Sequence, residues 1–374
     1  MRLGKFKINH YINYFVIGAM TLVLGIMTLA GYRFDNSLLF LLEKMAISII
    51  LAVSLSLVVS FLGELSLGHA GFMCVGAYLG GKIASLLVPT LGNGLAAFAI
   101  SLVAGAAAAA ICGVIIGIPA LRLRGDYLAI VTLAFGEIVK TLFQNTSDES
   151  FGGTLGLDTP RYDKKHLFLI SFVLVLVALA VVQNFIRSKH GRAVTAIRDN
   201  EIAARAAGIN VTKYKLIAFT TSAALAGVAG VLYSYSNYTV QSAKFDYNYS
   251  IEILVMVVLG GMGNINGSII AATLITWLNT WLPTILTGEM AVLQNLLYAL
   301  ILIVIVIYNN APALKGFRDK YNLGVLVDKF RHKDPSHIND DKAKWDVVPT
   351  KISMDEILSI DMTPQDRQNY GGDK

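Results

Sequence analysis

Ser66 and His69 stand three residues apart in GELSLGHAGFMCVGAYLGG, Gly63 to Gly81, and on a helix they would have the types and spacing of a nucleophile and its base. No third group lies near to orient the imidazole, so the pair by itself does not make a catalytic site. Glu137 and Lys140, i and i+3 inside another apolar run, share a helical face, and pairing lowers the cost of burying either one. A structural ion pair and the lining of a solute path are both open for them, and Lys82 adds a charge near a span end. GAYLGGK, Gly76 to Lys82, keeps a phosphate-loop spacing until Ile83 takes the place of the magnesium-binding Ser/Thr; it follows no strand and reads as helix packing. Gly261, Gly263 and Gly267 have the wrong spacing for a dinucleotide turn, HExxH is absent, and the six histidines lack metal-ligand spacing. A chain of carboxylates for proton relay is missing as well, which weighs against gradient-driven transport. These residues point away from bond-making and toward a path through a membrane.

Two glycine-rich segments carry that reading. In Gly63–Gly81 small residues let helices approach closely, or let a helix break at membrane depth, where irregular backbone survives only beside protein or a water-filled path. Packing glycines with a satisfied histidine is one reading; a discontinuous helix lining a solute path is the other. LGGMGNING, Leu259 to Gly267, interrupts a second apolar run, and two such segments in separate halves of a chain are the usual pointer to a transport path, although no repeat relates them. The candidate pathway residues are Ser66, Gly68, His69, Gly71, Thr132, Glu137, Gly260, Gly261, Gly263 and Asn264. A third segment, Arg187 to Lys215, carries seven Lys/Arg against Asp199 and Glu201 and would suit an acidic partner or lipid headgroups. Within it Asn200 or Asp199 can cap a short helix, Glu201 suits its first turn, Arg205 its last, and Gly208 can supply the left-handed stop. That predicts about two turns from Glu201 to Ala207, whose alanines offer a smooth docking surface.

The elements that must position these residues are membrane spans. The chain has 374 residues, 55% apolar and 15% charged, too little polar surface for a soluble fold of that length. Apolar runs near the roughly 20 residues that a span needs occupy 11–31, 45–62, 67–88, 95–121, 127–143, 167–186 and 214–236. An interrupted region from Ile251 to Leu286 and a last run at 291–308 follow. Lys and Arg concentrate before the first run, at Arg122 and Arg124, in 187–215 and just past the last run, whereas Arg33, Lys44, Arg161, Lys164, Lys165 and Lys244 fall on the other side. The positive-inside rule then puts both termini and 187–215 in the cytoplasm, and parity requires two crossings meeting at the glycine cluster, the first a half-helix or re-entrant element. The expected fold is an all-α polytopic integral membrane protein of about eight to ten spans. A membrane domain at 1–310 would precede a polar, partly disordered cytoplasmic tail at 311–374, with a short helix near Met354 to Ile360. Cys74 and Cys112 lie in apolar runs, which argues against a disulfide framework, and the first run is too long for a cleavable signal.

In these segments the chain resembles the inner-membrane permease subunits of branched-chain amino acid ABC importers, the LivM type. The resemblance is carried by LSLGHAGFMCVGAY (Leu65–Tyr78), LRGDYLAIVTLAFGEI (Leu123–Ile138), GRAVTAIRDNEIAARAAGINVTKYKLIAF (Gly191–Phe219) and MVVLGGMGNINGSIIAA (Met256–Ala272), in family order. It implies a type II importer fold in the cell membrane and a heterodimer with a homologous permease. Two cytoplasmic ATPase subunits and an extracytoplasmic amino acid binding protein would complete the assembly, with no nucleic acid among its partners. No enzyme activity or cofactor is then expected on this chain, since ATP and magnesium would be handled by the ATPases. The resemblance also makes the short helix the element that docks on an ATPase, with Arg198, Asp199, Asn200, Glu201, Ala203, Ala204, Arg205 and Gly208 as candidate coupling residues. The cargo would be leucine, isoleucine and valine. Urea or short-chain amides are the alternative within the family, and a gradient-driven carrier or channel is the alternative outside it. No substrate-contacting side chain is carried over, and the tail beyond about Asn310 is longer than the family leads one to expect.

Overall fold

The computed structural model describes residues 35–285 apart from 93, 124 and 161–163, with isolated positions at 17–19, 21, 25, 300 and 303. The expected spans at 11–31 and 291–308, and the tail at 311–374 with its short helix, lie outside the described residues. Within them the chain is almost wholly helical. α1 (Asn36–Ser56) continues into a π-helical turn (Leu57–Leu62), and α2 (His69–Leu91), α3 (Leu95–Ala120), α4 (Asp126–Gln144) and the short α5 (Asp148–Phe151) follow. Next come α6 (Lys164–Arg187), α7 (Lys189–Asp199), α8 (Glu201–Ala206), α9 (Val211–Asn237), α10 (Tyr247–Leu259) and α11 (Ile265–Ile285). A two-residue antiparallel pair, β1 (Leu157–Asp158) with β2 (Thr239–Val240), sets Leu157 opposite Val240. Among the described residues six helices are long and apolar enough to cross a membrane: Asn36–Leu62, His69–Leu91, Leu95–Ala120, His166–Arg187, Val211–Asn237 and Ile265–Ile285.

Two expectations need correction. The helix expected from residue 45 starts at Asn36, so Glu43 and Lys44 lie inside it and not in a loop. Their charges are accommodated: buried Glu43 accepts a hydrogen bond from Ser236 Oγ at 2.5 Å, and the Lys44 ammonium lies 4.5 Å from the Phe40 ring centroid. The second correction concerns 187–215, read as a loop with one short helix. It holds an additional 11-residue helix, α7, capped by Ser188, whose Oγ accepts from the His190 and Gly191 amides. Its buried face is Ala193, Val194 and Ile197, a short apolar stripe hidden in a polar segment. Arg198 and Asp199 therefore end α7 and do not belong to α8, because the extended backbone of Asn200 (φ −158°, ψ 103°) separates the two helices.

α1 is the hub of the fold, with 94% of its apolar window buried against α6, α9, α10 and α11, while α2 and α3 pack on α9. Lipid tails are as apolar as leucine, so helices here associate by close packing and not by escape from water. A Cβ on Gly76 would lie 2.4 Å from the Gly227 carbonyl oxygen, which shows α2 and α9 touching backbone to backbone. α3 is the opposite case, 22% buried, with Val103, Ile111 and Ile115 turned outward as lipid-facing positions should be. α10 has 13 residues, about 20 Å, too short to cross alone a hydrocarbon core of roughly 30 Å. It forms a hairpin with α11, and the two cysteines are free.

Candidate functional site

α8 is a short helix with both ends closed by its own sequence. The Asn200 Oδ1 accepts from the amides of Ile202 and Ala203, both at 3.0 Å, satisfying two donors that a helix start leaves open. At the other end Gly208 takes φ +81°, the Gly208 amide donates to Arg205 O at 3.0 Å, and the Ile209 amide donates to Ala204 O at 3.0 Å. This is a Schellman closure, and Ile209 packs with buried Ala204 beneath it, against Ile197 and Val211. Ala204 faces inward, so the opposite face is free: Ile202 is 77% exposed, and Ala203, Ala206 and Ala207 are exposed around it. Glu201 and Arg205 bridge one turn at 2.6 Å.

Three contacts tie this helix to the end of α1. Lys215, near the start of α9, is buried; its ammonium pairs with Glu64 and lies 3.3 Å from Glu201 Oε2. Arg198 donates to the Ser60 carbonyl at 3.0 Å and to Asp199 Oδ1 at 2.9 and 3.1 Å. The Ser60 carbonyl is available because the α-helical pattern gives way to a π turn there. Gly63 follows at φ +78°, and a Cβ on it would stand 2.7 Å from Arg198 Cγ, so the chain turns directly beneath that side chain. Sequence reasoning named Arg198 and Glu201 but missed Glu64, Lys215 and Ile202. An isolated carboxylate among leucines was the one available sign of Glu64; its partner stands 151 positions away.

The segment 63–68 leaves α1 in non-helical backbone, and its open groups are met by protein, as membrane depth demands. The Leu67 amide donates to Thr132 Oγ1 at 3.0 Å, and the Ala70 amide to Ser250 Oγ at 3.1 Å. A Cβ on Gly68 would meet the Thr132 carbonyl at 2.3 Å and one on Gly71 would meet the Gly136 Cα at 2.8 Å, so both glycines seat the start of α2 on α4. Ser66 and His69 do not form the pair that their spacing allowed. Ser66 precedes the helix, buried and without a hydrogen-bond partner among the described residues, while His69 Nε2 lies 2.7 Å from Ser54 Oγ of α1. Glu137 pairs with Lys140 at 2.5 Å and its Oε1 accepts from the Tyr247 amide at 3.0 Å, placing a carboxylate at the N-terminus of α10.

Gly260, Gly261, Gly263 and Asn264 lie apart from that group, in the turn between α10 and α11. Gly261 and Gly263 take φ +87° and +85°, and the Asn264 Oδ1 accepts from the Gly267 amide at 3.3 Å. The geometry of chain reversal thus accounts for the glycines of LGGMGNING. Ser66, Gly68, His69, Gly71 and Thr132 are brought together at the break between α1 and α2; Glu137 and the turn residues are not part of that cluster. The described residues thus form a capped surface helix, an ion-pair junction, and a helix break held by side chains.

A family model described as branched-chain amino acid transport system / permease component matches residues 37–306. The chain belongs to that family. The chain is 37% identical over 260 residues to the high-affinity branched-chain amino acid transport system permease protein LivM of Salmonella typhimurium (strain LT2), covering 61% of this chain and 60% of that one. The LivM of Escherichia coli (strain K12) matches at 36% identity with the same coverage. The ribose import permease protein RbsC of Escherichia coli (strain K12) is 28% identical over 320 residues, 79% of this chain and 92% of that one. The match thus spans 60% of the length of these LivM relatives. No solved structure matches the chain. The family and the six apolar helices among the described residues together make the chain a multi-pass membrane protein.

Proposed function

We propose that this chain is the membrane subunit of an ABC importer, forming with a homologous permease the path for branched-chain amino acids, while partner subunits hydrolyse ATP. The LivM relatives support that cargo; the likeness to a ribose permease supports the class of machine and not the solute. The observation that carries the reading is α8, an isolated, doubly capped helix with an exposed apolar face. A face of Ile202, Ala203 and Ala206 suits a groove on an ATPase, and the basic segment around it suits the cytoplasmic side of the membrane. The ATPase moves α8; Lys215 and Arg198 pass that displacement to Glu64 and Ser60, and so to the break at 63–68. Thr132 and Ser250 hold the far side of the break, so motion there redirects α2 against α4 and α10. Apolar cargo would be selected at high affinity by an extracytoplasmic binding protein and released along a weakly polar path.

The test is purification of a tagged chain in mild detergent, identification of co-purifying chains by mass spectrometry, and an ATPase assay on the eluate. Recovery of ATPase subunits and a second permease with ATP hydrolysis is expected. A lone or self-associated chain without hydrolysis, from a membrane in which those partners are expressed, would contradict the reading.

A further inference from the structure

Toward the N-terminal end of α1, about 18 Å along the helix from Ser56, Lys44 borders a partly open cavity of about 340 Å³. That volume suits a small solute. Three charged residues line it: Lys44 of α1, Lys244 of the short 3₁₀ turn after β2, and Glu252 of α10. Among the described residues neither lysine ammonium makes a hydrogen bond or an ion pair, and Glu252 accepts one hydrogen bond, from the Asn279 amide of α11. Thr276 of α11 also lines the cavity, and its Oγ1 is buried with no hydrogen-bond partner among the described residues. Apolar wall is supplied by buried Ile47 and Phe245 and by the ring of Tyr249.

Ionisable groups at membrane depth are costly and mark function unless they neutralise one another. Here Lys44 and Glu252, both on helices, border a common space without closing into an ion pair among the described residues, and Lys244 adds a second cation at its exposed rim. A lone cation in that space would face both lysines. An inorganic dianion would face Glu252. A solute with a carboxylate for the lysines, an ammonium for Glu252 and an uncharged apolar side chain for the wall answers every group present.

We propose that this cavity is a binding site for an α-amino acid zwitterion with an apolar side chain. None of its lining residues belongs to the break at 63–68 or to the glycine turn at 260–264. It deepens the transport reading by giving the cargo a place on this chain, and rests on that reading only for the expectation that the bound solute then moves.

The test is equilibrium binding to the purified complex in nanodiscs, without a binding protein, using radiolabelled L-leucine with 4-methylpentanoate and 3-methylbutylamine as competitors. The first competitor lacks the ammonium and the second the carboxylate. Wild-type complex is expected to bind leucine about tenfold or more tightly than either competitor, the value of one charge-assisted contact. Glu252→Gln should lose about tenfold for leucine while 4-methylpentanoate binds at least as well as before. Lys244→Gln, at the exposed rim and safe for folding, should lose affinity for leucine and for 4-methylpentanoate but keep that for 3-methylbutylamine. Unchanged leucine affinity in these variants, an equal loss for all three ligands, or displacement of leucine by phosphatidylglycerol would overturn the site. The two readings fail separately. Binding with this charge signature but no ATP-driven uptake in proteoliposomes would sink the transport reading alone, and uptake with binding indifferent to Glu252 would sink the cavity alone.

Discussion

At the α8 end of α1, Lys215 is held between Glu64 and Glu201 and Arg198 clasps Asp199, so each charge is spent on a neighbour. Toward the other end of α1, Lys44, Lys244 and Glu252 share a cavity and leave it polar, with no ion pair among them. The same residue types serve two purposes according to geometry. Charges locked together make a rigid strut that can carry displacement between a surface helix and a helix break. Charges held apart around a space keep electrostatic capacity for something that enters it. Cost separates the two as well: a buried pair is tolerable only while both partners are present.

The sharpest way to break the comparison is Lys215→Met, which strands Glu64 and removes a partner of Glu201. Loss of one member of a buried pair costs about 3–5 kcal/mol, so the thermal midpoint of the purified complex should fall steeply. Glu64→Gln combined with Lys215→Met should recover much of that stability while ATP-driven uptake stays low; full uptake in the double variant would make the junction merely structural. Next is Gly63→Ala, which sets a Cβ against Arg198 at φ +78° and costs about 1–2 kcal/mol. Insertion should persist with reduced uptake per ATP hydrolysed, and a wild-type ratio would exclude the turn from coupling. Asn200→Ala removes both capping bonds of α8 for about 1 kcal/mol, so proteolysis at 200–208 should quicken and ATPase association weaken. The smallest effect belongs to Arg205→Ala, an exposed i,i+4 pair worth about 0.5 kcal/mol, whose consequence should vanish at high salt.

Local features were legible in the sequence. Asn200 and Gly208 are a cap and a stop by residue type alone, and the structure uses both. The glycines of Gly63–Gly81 left helix packing and a helix break both open, and the structure uses them for each, Gly63 at the turn and Gly71 and Gly76 at close helix contacts, while those of Leu259–Gly267 marked a reversal. Features made by distant residues were not legible. Lys215 meets Glu64 across 151 positions. The cavity draws Lys44, Lys244 and Glu252 from three elements, and Lys44 had looked like a loop residue although Phe40, one turn earlier on α1, carries its ammonium over the ring. α7 escaped notice for another reason: three small apolar side chains suffice to bury it, too few to dominate a basic segment. The spacing of Ser66 and His69 misled because it presumed a helix through residues that the break had already taken out of one.

The central claim is that the exposed face of α8 meets an ATPase, and a photo-crosslinking amino acid at Ile202 in intact cells tests it most directly. Irradiation should give an adduct with an ATPase subunit that is absent when the same group stands at Leu95, an exposed position beyond the far end of α2. No adduct at Ile202 in cells where the ATPase is present, or the same adduct at both positions, would contradict it.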